Sequence, residues 1–190
     1  MNKLFILGKI LKSDSHAIAV VGARKMTVRG ERLTRRFVKE LVKAHFTIVS
    51  GLAVGVDSVA HRVALAAGGR TIAVLGSGID VIYPYRNRGL AEKISKRGAV
   101  VSLFPKGTRP LGKNFLARNR IIVELAKAVL VIEGERRSGT LSTAAWAAND
   151  GKEVFAIPGS EATDWLINEG ASVAKTPQDI IEYFNATNHR

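Results

Sequence analysis

Cysteine is absent from this 190-residue chain, which excludes disulfides and thiolate metal sites and fits a cytoplasmic protein. Long apolar runs are absent too, and none approaches the roughly 20 residues that span a bilayer. The first apolar stretch, Leu4 to Leu11, is broken by Gly8 and Lys9 and has no small-residue cleavage site after it, so it does not read as a signal peptide. No membrane partner is expected. With only 4 His and no second cluster of ligands, no metal site is expected either. No nucleophile elbow is present. Repeats, low-complexity tracts and linkers are missing, so the chain reads as one domain.

Acidic residues are also scarce: 16 Asp and Glu face 29 Lys and Arg, for a net charge of +13. The imbalance is uneven. Residues 1–149 hold 26 basic and 9 acidic groups, whereas residues 150–190 hold 3 and 7. A basic body with an acidic tail points to one face built for a polyanion and a C-terminal face with another task.

Short apolar runs rich in β-branched residues recur at Ala17 to Val21, Phe46 to Val49, Thr71 to Leu75, Ala99 to Leu103, Ala128 to Ile132 and Glu153 to Ile157. Most are continuous rather than alternating, the pattern of strands covered on both faces of a parallel sheet. Helical spacing lies between them. Leu33, Phe37, Val38 and Leu41 share one face, and further helical patterns cover Ser58 to Ala67, Leu90 to Arg97, Leu116 to Ala126 and Leu141 to Ala148. Alternation of this kind predicts an α/β fold, a Rossmann-like, doubly wound and mostly parallel sheet. Residues 1–16 read as a short extension before a core over 17–190.

Ligands of such sheets sit beyond the carboxyl ends of the strands. Each predicted strand ends there in small and polar residues, among them Gly22-Ala23-Arg24, Ser50-Gly51, Gly76-Ser77-Gly78 and Gly134 to Gly139. Glycine lets backbone N–H groups approach a phosphate, helix N-termini add a favourable dipole, and arginine supplies a forked cation. The segment Lys113 to Ile122, KNFLARNRII, adds donors at Lys113 and Asn114, a ring at Phe115 and charge at Arg118 and Arg120. A cation beside an aromatic suits a single strand, whose bases are free to stack, although Phe115 would serve equally well in the core.

Other chemistries fit less well. Gly76-Ser77-Gly78 lacks the third glycine of a dinucleotide fingerprint. Gly107 to Asn114, GTRPLGKN, misses the P-loop pattern at its last position, where Asn offers no magnesium-binding hydroxyl, and Pro110 removes an N–H. No cofactor is expected. Asp57 and His61, at i and i+4, are expected to meet, with Asp57 capping a helix and His61 as its hydrogen-bond partner. Glu133 and Glu135 are expected to pair with Arg136 and Arg137 rather than act as acid and base. Cationic and hydrogen-bonding residues without a catalytic set indicate binding rather than turnover.

Six segments in register resemble the DNA-processing protein A (DprA, also called Smf) family: GAR at 22–24, SGLAVGVDSVAH at 50–61, GGRTIAVLGSGIDVIYP at 68–84, NFLARNRII at 114–122, SGTLSTA at 138–144 and VFAIPG at 154–159. The resemblance spans roughly Ala17 to Ala174. It implies an extended Rossmann fold, single-stranded DNA binding, loading of the RecA recombinase during natural transformation, a homodimer and no enzymatic activity. It also implies site residues. Gly22 and Arg24 match the family's GSR loop, and Ser50 and Gly51 its SG turn. Phe115 matches the aromatic before its RNR, which falls on Arg118, Asn119 and Arg120, and Ser138, Gly139 and Thr140 match its SGS or SGT. Ala23 replaces the family's serine, Leu103 stands where the family has glutamate, and Ala162 and Asp164 replace a glycine and an asparagine. About sixteen residues precede the first strand where the family carries a helical domain, and no winged-helix-like domain follows; a stripped-down member is the expectation. For the homodimer the region Ile167 to Phe184 is the candidate surface, with Ile180, Ile181 and Phe184 at helical spacing. A rival within the same superfamily is a LOG-type phosphoribohydrolase or a small-nucleotide binder, but the glutamate of the PGGxGTxxE signature falls on Thr143, and Arg136-Arg137-Ser138 replaces its PGG.

Overall fold

The six apolar runs form the middle of an eight-stranded sheet in the computed structural model, which describes residues 4–136 and 138–187. Strands β1 (Phe5–Gly8), β2 (Ala17–Val21), β3 (Thr47–Ser50), β4 (Thr71–Leu75) and β5 (Ala99–Ser102) come first in the chain, with β6 (Ala128–Val131), β7 (Glu153–Ala156) and β8 (Ser172–Val173) following. Between and after them run α1 (Val28–Lys43), α2 (Val56–Ala66), α3 (Arg88–Arg97), α4 (Gly112–Glu124), α5 (Gly139–Asn149), α6 (Glu161–Asn168) and α7 (Pro177–Thr187). The spatial order is β1-β5-β4-β3-β2-β6-β7-β8, with β1 antiparallel to β5 and every other pairing parallel. This is the doubly wound Rossmann-like α/β domain expected from the alternation of runs.

Every residue of β2 is buried, which explains why its sequence, AIAVV, shows no alternation. Its side chains feed two layers. Ala17, Ala19 and Val21 join Ile121, Ile122 and Ala144 from α4 and α5. Ile18 and Val20 join Phe37, Leu41, Val56 and Ala60 from α1 and α2. Full burial of a Leu, Ile or Phe side chain contributes about 1.5–3 kcal/mol, so these two layers, with a third cluster around Leu75 and Ile94, drive the fold together.

The chain ends depart from the sequence reading. The described part of the segment ahead of residue 17, expected as a short extension, joins the edge of the sheet. It supplies β1, which pairs with β5 in the register Phe5↔Ser102 to Gly8↔Ala99, and it supplies Asp14, which is buried. Strand β1 is an exposed edge beyond its first residue and so carries no burial pattern. At the other end, α7 turns Ile180 and Phe184 into the body, where the Phe184 ring lies 5.1 Å from that of Phe46. Those two side chains, offered as part of a dimer surface, are therefore already spent on packing within the chain.

The chain winds outward from β2 through β3, β4 and β5, then returns to place β6 on the other side of β2. Loops after β2 and β6 therefore diverge and leave a crevice at the carboxyl edge. The cleft lies there.

Candidate nucleic-acid interface

Helix α4 builds the floor of the cleft. Phe115, Arg118, Asn119 and Ile122 are spaced i, i+3, i+4, i+7 and share one face, which lines a hollow of ≈ 610 Å³. Gly22, Ala23, Arg24 and Lys25 line it from the loop after β2, Ala53 and Asp57 from the start of α2, and Glu135, Ser138, Gly139, Thr140 and Thr143 from the β6–α5 side.

Arg118 is 5% exposed. Its Nη1 donates to the carbonyls of Gly51 and of Val74, the latter at 3.1 Å, and its Nε donates to Asn119 Oδ1 at 3.0 Å. Asn119 Nδ2 in turn donates to Gly139 O at 3.2 Å and to Ser142 Oγ at 3.0 Å. Two adjacent side chains thus tie the loop after β3, the end of β4 and the first turn of α5 together. A Cβ at Gly51 would lie on the Arg118 guanidinium, so only glycine allows this approach. Burial pushes the Arg118 pKa down against the pull of Asp57, and the charge of Arg24 lowers it further. Burial likewise raises the pKa of Asp57, which Arg118 opposes.

Two guanidinium groups lie near the Phe115 ring. The Cζ atoms of Arg24 and Arg118 each stand 5.5 Å from its ring centroid. A Cβ at Gly76 would come within 2.6 Å of the ring, so the glycine lets Phe115 lie against the backbone after β4. The ring is partly exposed and forms a wall of the cleft. Arg24 is exposed, and among the described residues no carboxylate lies within 4 Å of it.

Three helix N-termini meet the loops around this crevice, and their states differ. At α1, Glu133 accepts from Thr27 N–H at 2.6 Å and from the Thr27 hydroxyl at 2.7 Å, while Thr27 Oγ1 accepts from Gly30 N–H. At α2, Asp57 Oδ2 accepts from Gly51 and Ala53 N–H at 3.2 and 3.3 Å. The Glu133 carboxylate therefore occupies the anion position at α1, whereas Asp57, in the first turn of α2, ties down the loop that leads into that helix. At α5 the N-cap residue Ser138 makes no capping bond, and its Oγ is buried with no partner among the described residues. Of the three, only α5 has no acidic residue in its first turn, and no carboxylate is bound at its terminus among the described residues.

The structure brings together Gly22, Arg24, Phe115, Arg118, Asn119, Ser138, Gly139 and Thr140. It places the other expected residues elsewhere. Ser50 is fully buried and its hydroxyl donates to Val20 O at 2.7 Å, and Gly51 serves through its backbone. Asn114 turns inward to Arg109 O at 3.1 Å, and Lys113 is exposed at the start of α4 outside the cleft lining. Arg120, two residues and about 200° around the helix from Arg118, stacks on Trp146 at 5.0 Å and pairs with Glu124 and Asp150 on the outer surface. It is not a cleft residue.

Further expectations need correcting. His61 does not meet Asp57. Its Nδ1 lies 2.6 Å from Thr71 Oγ1, whose hydroxyl donates to Ile48 O, so Nδ1 carries the proton and Nε2 is left buried without a partner. Burial, with the charge of Arg118 nearby, drives the His61 pKa down to about 3. Glu133 pairs with Thr27 rather than with Arg136, whose guanidinium sits 5.8 Å from the Trp165 ring; Arg137 lies outside the described residues. Gly107 N–H binds Asp80 Oδ1 at 2.9 Å, so the P-loop-like stretch forms no phosphate cradle with that donor. The sequence reading missed Lys25 and Leu116 as cleft residues, because nothing in their spacing distinguishes a rim position from an ordinary helix or loop position, and it singled out Thr143 only as the place of a signature glutamate.

Comparison with known proteins agrees with this architecture. The profile of the family described as DNA recombination-mediator protein A matches residues 2–185. Protein Smf of Escherichia coli (strain K12) is 46% identical over 186 residues, covering 94% of this chain and 50% of its own length. The X-ray structure of DNA processing protein A from Streptococcus pneumoniae superposes with a TM-score of 0.89 at 40% identity, over 94% of this chain and 65% of that one. A structure of the Helicobacter pylori protein, which concerns its single-stranded DNA binding mode, gives a TM-score of 0.89 at 30% identity, over 97% of this chain and 87% of that one. The chain spans about half the length of the curated Smf relatives it matches, 50% and 48%. The motifs, the fold and these matches agree: the chain belongs to the DNA recombination-mediator protein A family.

Proposed function

We propose that the cleft binds single-stranded DNA, holding phosphates with Arg24 and the N-terminus of α5 and a base against Phe115, without turning the nucleic acid over. The observation that carries this reading is Phe115 with two guanidinium groups at 5.5 Å, beside a helix terminus with no carboxylate of its own. Two cations that share a wall repel each other and are relieved by an anion. The partly exposed ring beside them offers an unpaired base a face. Arg118, almost fully buried, acts in this scheme by positioning Phe115 and the loops rather than by reaching the ligand.

The test is a binding titration with single-stranded, double-stranded and mononucleotide ligands at two salt concentrations. Affinity for the single strand should fall with salt at a log–log slope of about −0.7 per neutralised phosphate, or roughly −2 to −4 for a site of this size. Phe115→Ala should weaken single strands by about 1–3 kcal/mol and leave duplex nearly unchanged, because duplex bases are already stacked. A flat salt response would refute the reading.

Two finer statements rest on the family resemblance: that the chain hands DNA to a RecA-type recombinase, and that it forms a homodimer. Strand exchange on DNA coated with single-strand-binding protein tests the first, and sedimentation at tens of micromolar tests the second. The rival reading, phosphoribohydrolase activity, requires a carboxylate where Thr143 stands. Thr143 is 2% exposed and its hydroxyl lies 3.4 Å from Gly139 O. Release of base from nucleoside monophosphates above background would favour the rival.

A further inference from the structure

The loop after β4 carries two tyrosines that the core does not use. Tyr83 is 49% exposed and Tyr85 is 75% exposed, while Ser77, Ile79 and Asn87 from the same segment are buried. The segment is pinned on several sides. Ser77 Oγ donates to Val81 O at 2.6 Å, Gly78 N–H donates to Thr108 O at 2.9 Å, and Asn87 Nδ2 donates to Leu52 O at 2.9 Å. An exposed ring on a fixed loop costs little further ordering when a flat ligand arrives.

Tyr83 is also next to the cleft. Its ring centroid lies 5.9 Å from that of Phe115, tilted by 45°. Leu111 and Leu116, 50% and 54% exposed, continue this apolar rim along the first turns of α4. Exposed Arg86 and Lys113 lie in the same two segments and supply positive charge around it. Rings set side by side at a tilt present two faces rather than one, and sequence-tolerant single-strand sites use successive rings for successive bases.

We propose that Tyr83 is a second base-stacking platform, so that the site takes two neighbouring unpaired nucleotides, one on Phe115 and the next on Tyr83. This rests on the cleft being the single-strand site described above. It adds a residue and a direction: the strand leaves Phe115 toward the Tyr83–Tyr85 loop rather than toward α1, whose terminus Glu133 already occupies.

The experiment measures affinity of the full chain for a single-stranded oligothymidine, for the same oligomer carrying one abasic nucleotide at successive positions, and for duplex. Tyr83→Leu keeps apolar bulk against Phe115 but removes the aromatic face, and Tyr83→Phe keeps the face. Tyr83→Leu should bind the oligothymidine about 5- to 150-fold more weakly, Tyr83→Phe should bind like the parent, and duplex affinity should not change. In the double variant with Phe115→Ala the two losses should multiply, since each ring holds its own base. One abasic position should abolish the effect of Tyr83→Leu, and its neighbour that of Phe115→Ala. Unchanged binding by Tyr83→Leu overturns the proposal. So does a loss that vanishes in the Phe115→Ala background, which would make Tyr83 a prop for Phe115. If the parent itself binds no single strand, the reading of the cleft fails, a result separate from all of these.

Discussion

Both edges of the sheet bury an aspartate near an arginine, and the two arrangements have opposite character. At the amino edge, Arg70 reaches Asp14 through Nε and Nη2, each at 2.8 Å, and its remaining donors go to Arg97 O and Lys9 O. Burial raises the Asp14 pKa, but the hydrogen bonds from Arg70, Leu11 N–H and Thr47 outweigh it and hold the carboxyl below its usual value. At the carboxyl edge no ion pair joins Arg118 to Asp57 among the described residues, and each takes its close hydrogen bonds elsewhere. There burial dominates, raising the aspartate and lowering the arginine. Arg70, paired with its carboxylate, fastens two segments by charge. Arg118 fastens by hydrogen bonds to neutral groups, and the exposed Arg24 near it is the cation that a ligand can reach.

Removing each arginine should therefore separate the edges. Arg70→Ala leaves the Asp14 carboxylate buried and unpaired, and Arg118→Ala leaves the Gly51 and Val74 carbonyls without that donor. Arg70→Ala should cost about 3–5 kcal/mol in urea unfolding, the range for a broken buried pair, and Arg118→Ala about 1–3 kcal/mol, the range for a buried group left unsatisfied. Single-strand affinity, measured at a temperature where both variants remain folded, should survive Arg70→Ala and fail in Arg118→Ala. Equal binding by the two would erase the distinction.

Arg24→Ala comes next. It should weaken single-stranded and duplex DNA alike by about 1.5–3 kcal/mol, the range for hydrogen bonds to charged groups, while leaving the melting temperature unchanged. A drop in stability would mean that Arg24 holds the loop rather than the ligand.

His61 sharpens the electrostatic side. Its folded-state pKa of about 3 lies below the ordinary 6.5, so on acidification the unfolded chain takes up the proton first. Its contribution to stability is complete above pH 6.5 and falls as the pH drops toward 3, by at most about 1.4 kcal/mol per pH unit. Unfolding of His61→Leu measured from pH 7 to pH 5 should show a correspondingly shallower decline than the parent. Parallel curves would mean that His61 stays charged when buried.

The smallest effect belongs to Arg120→Ala. Its partners lie on the surface, and such pairs are worth about 0–1 kcal/mol. Neither stability nor DNA affinity should move further than that; a large loss of affinity would place a second contact on the outer face of α4.

The contrast between Arg118 and Arg120 also shows how far the sequence could be read. Strands β2 and β4 fall where their apolar runs end, because both faces are covered and the hydrophobic pattern is continuous. Strand β1 is an edge with most of its side chains in solvent, and β8 has two residues. Neither leaves a pattern to find. For the cleft, residue type and strand-end position sufficed for Arg24, Phe115 and the Ser138 turn. They failed for Ser50, Asn114 and Arg120, since the motif spells out neighbours in the chain while the helix sends them around its circumference. The pairing of His61 with Thr71 was out of reach, because it depends on how α2 lies against β4.

The Arg118–Asn119 tether has a consequence for how a nucleic acid must enter. Because the same two side chains hold the loop after β3, the end of β4 and the head of α5, the jaws cannot spread one at a time. The width of the slot belongs to the protein, and the adjustment falls on the guest. A bare strand can bend, unstack and thread itself into such a slot at the expense of its own freedom. A rigid duplex cannot, so it would reach only the exposed Arg24 at the mouth, and its weaker binding would follow from stiffness alone, with no residue dedicated to repelling it.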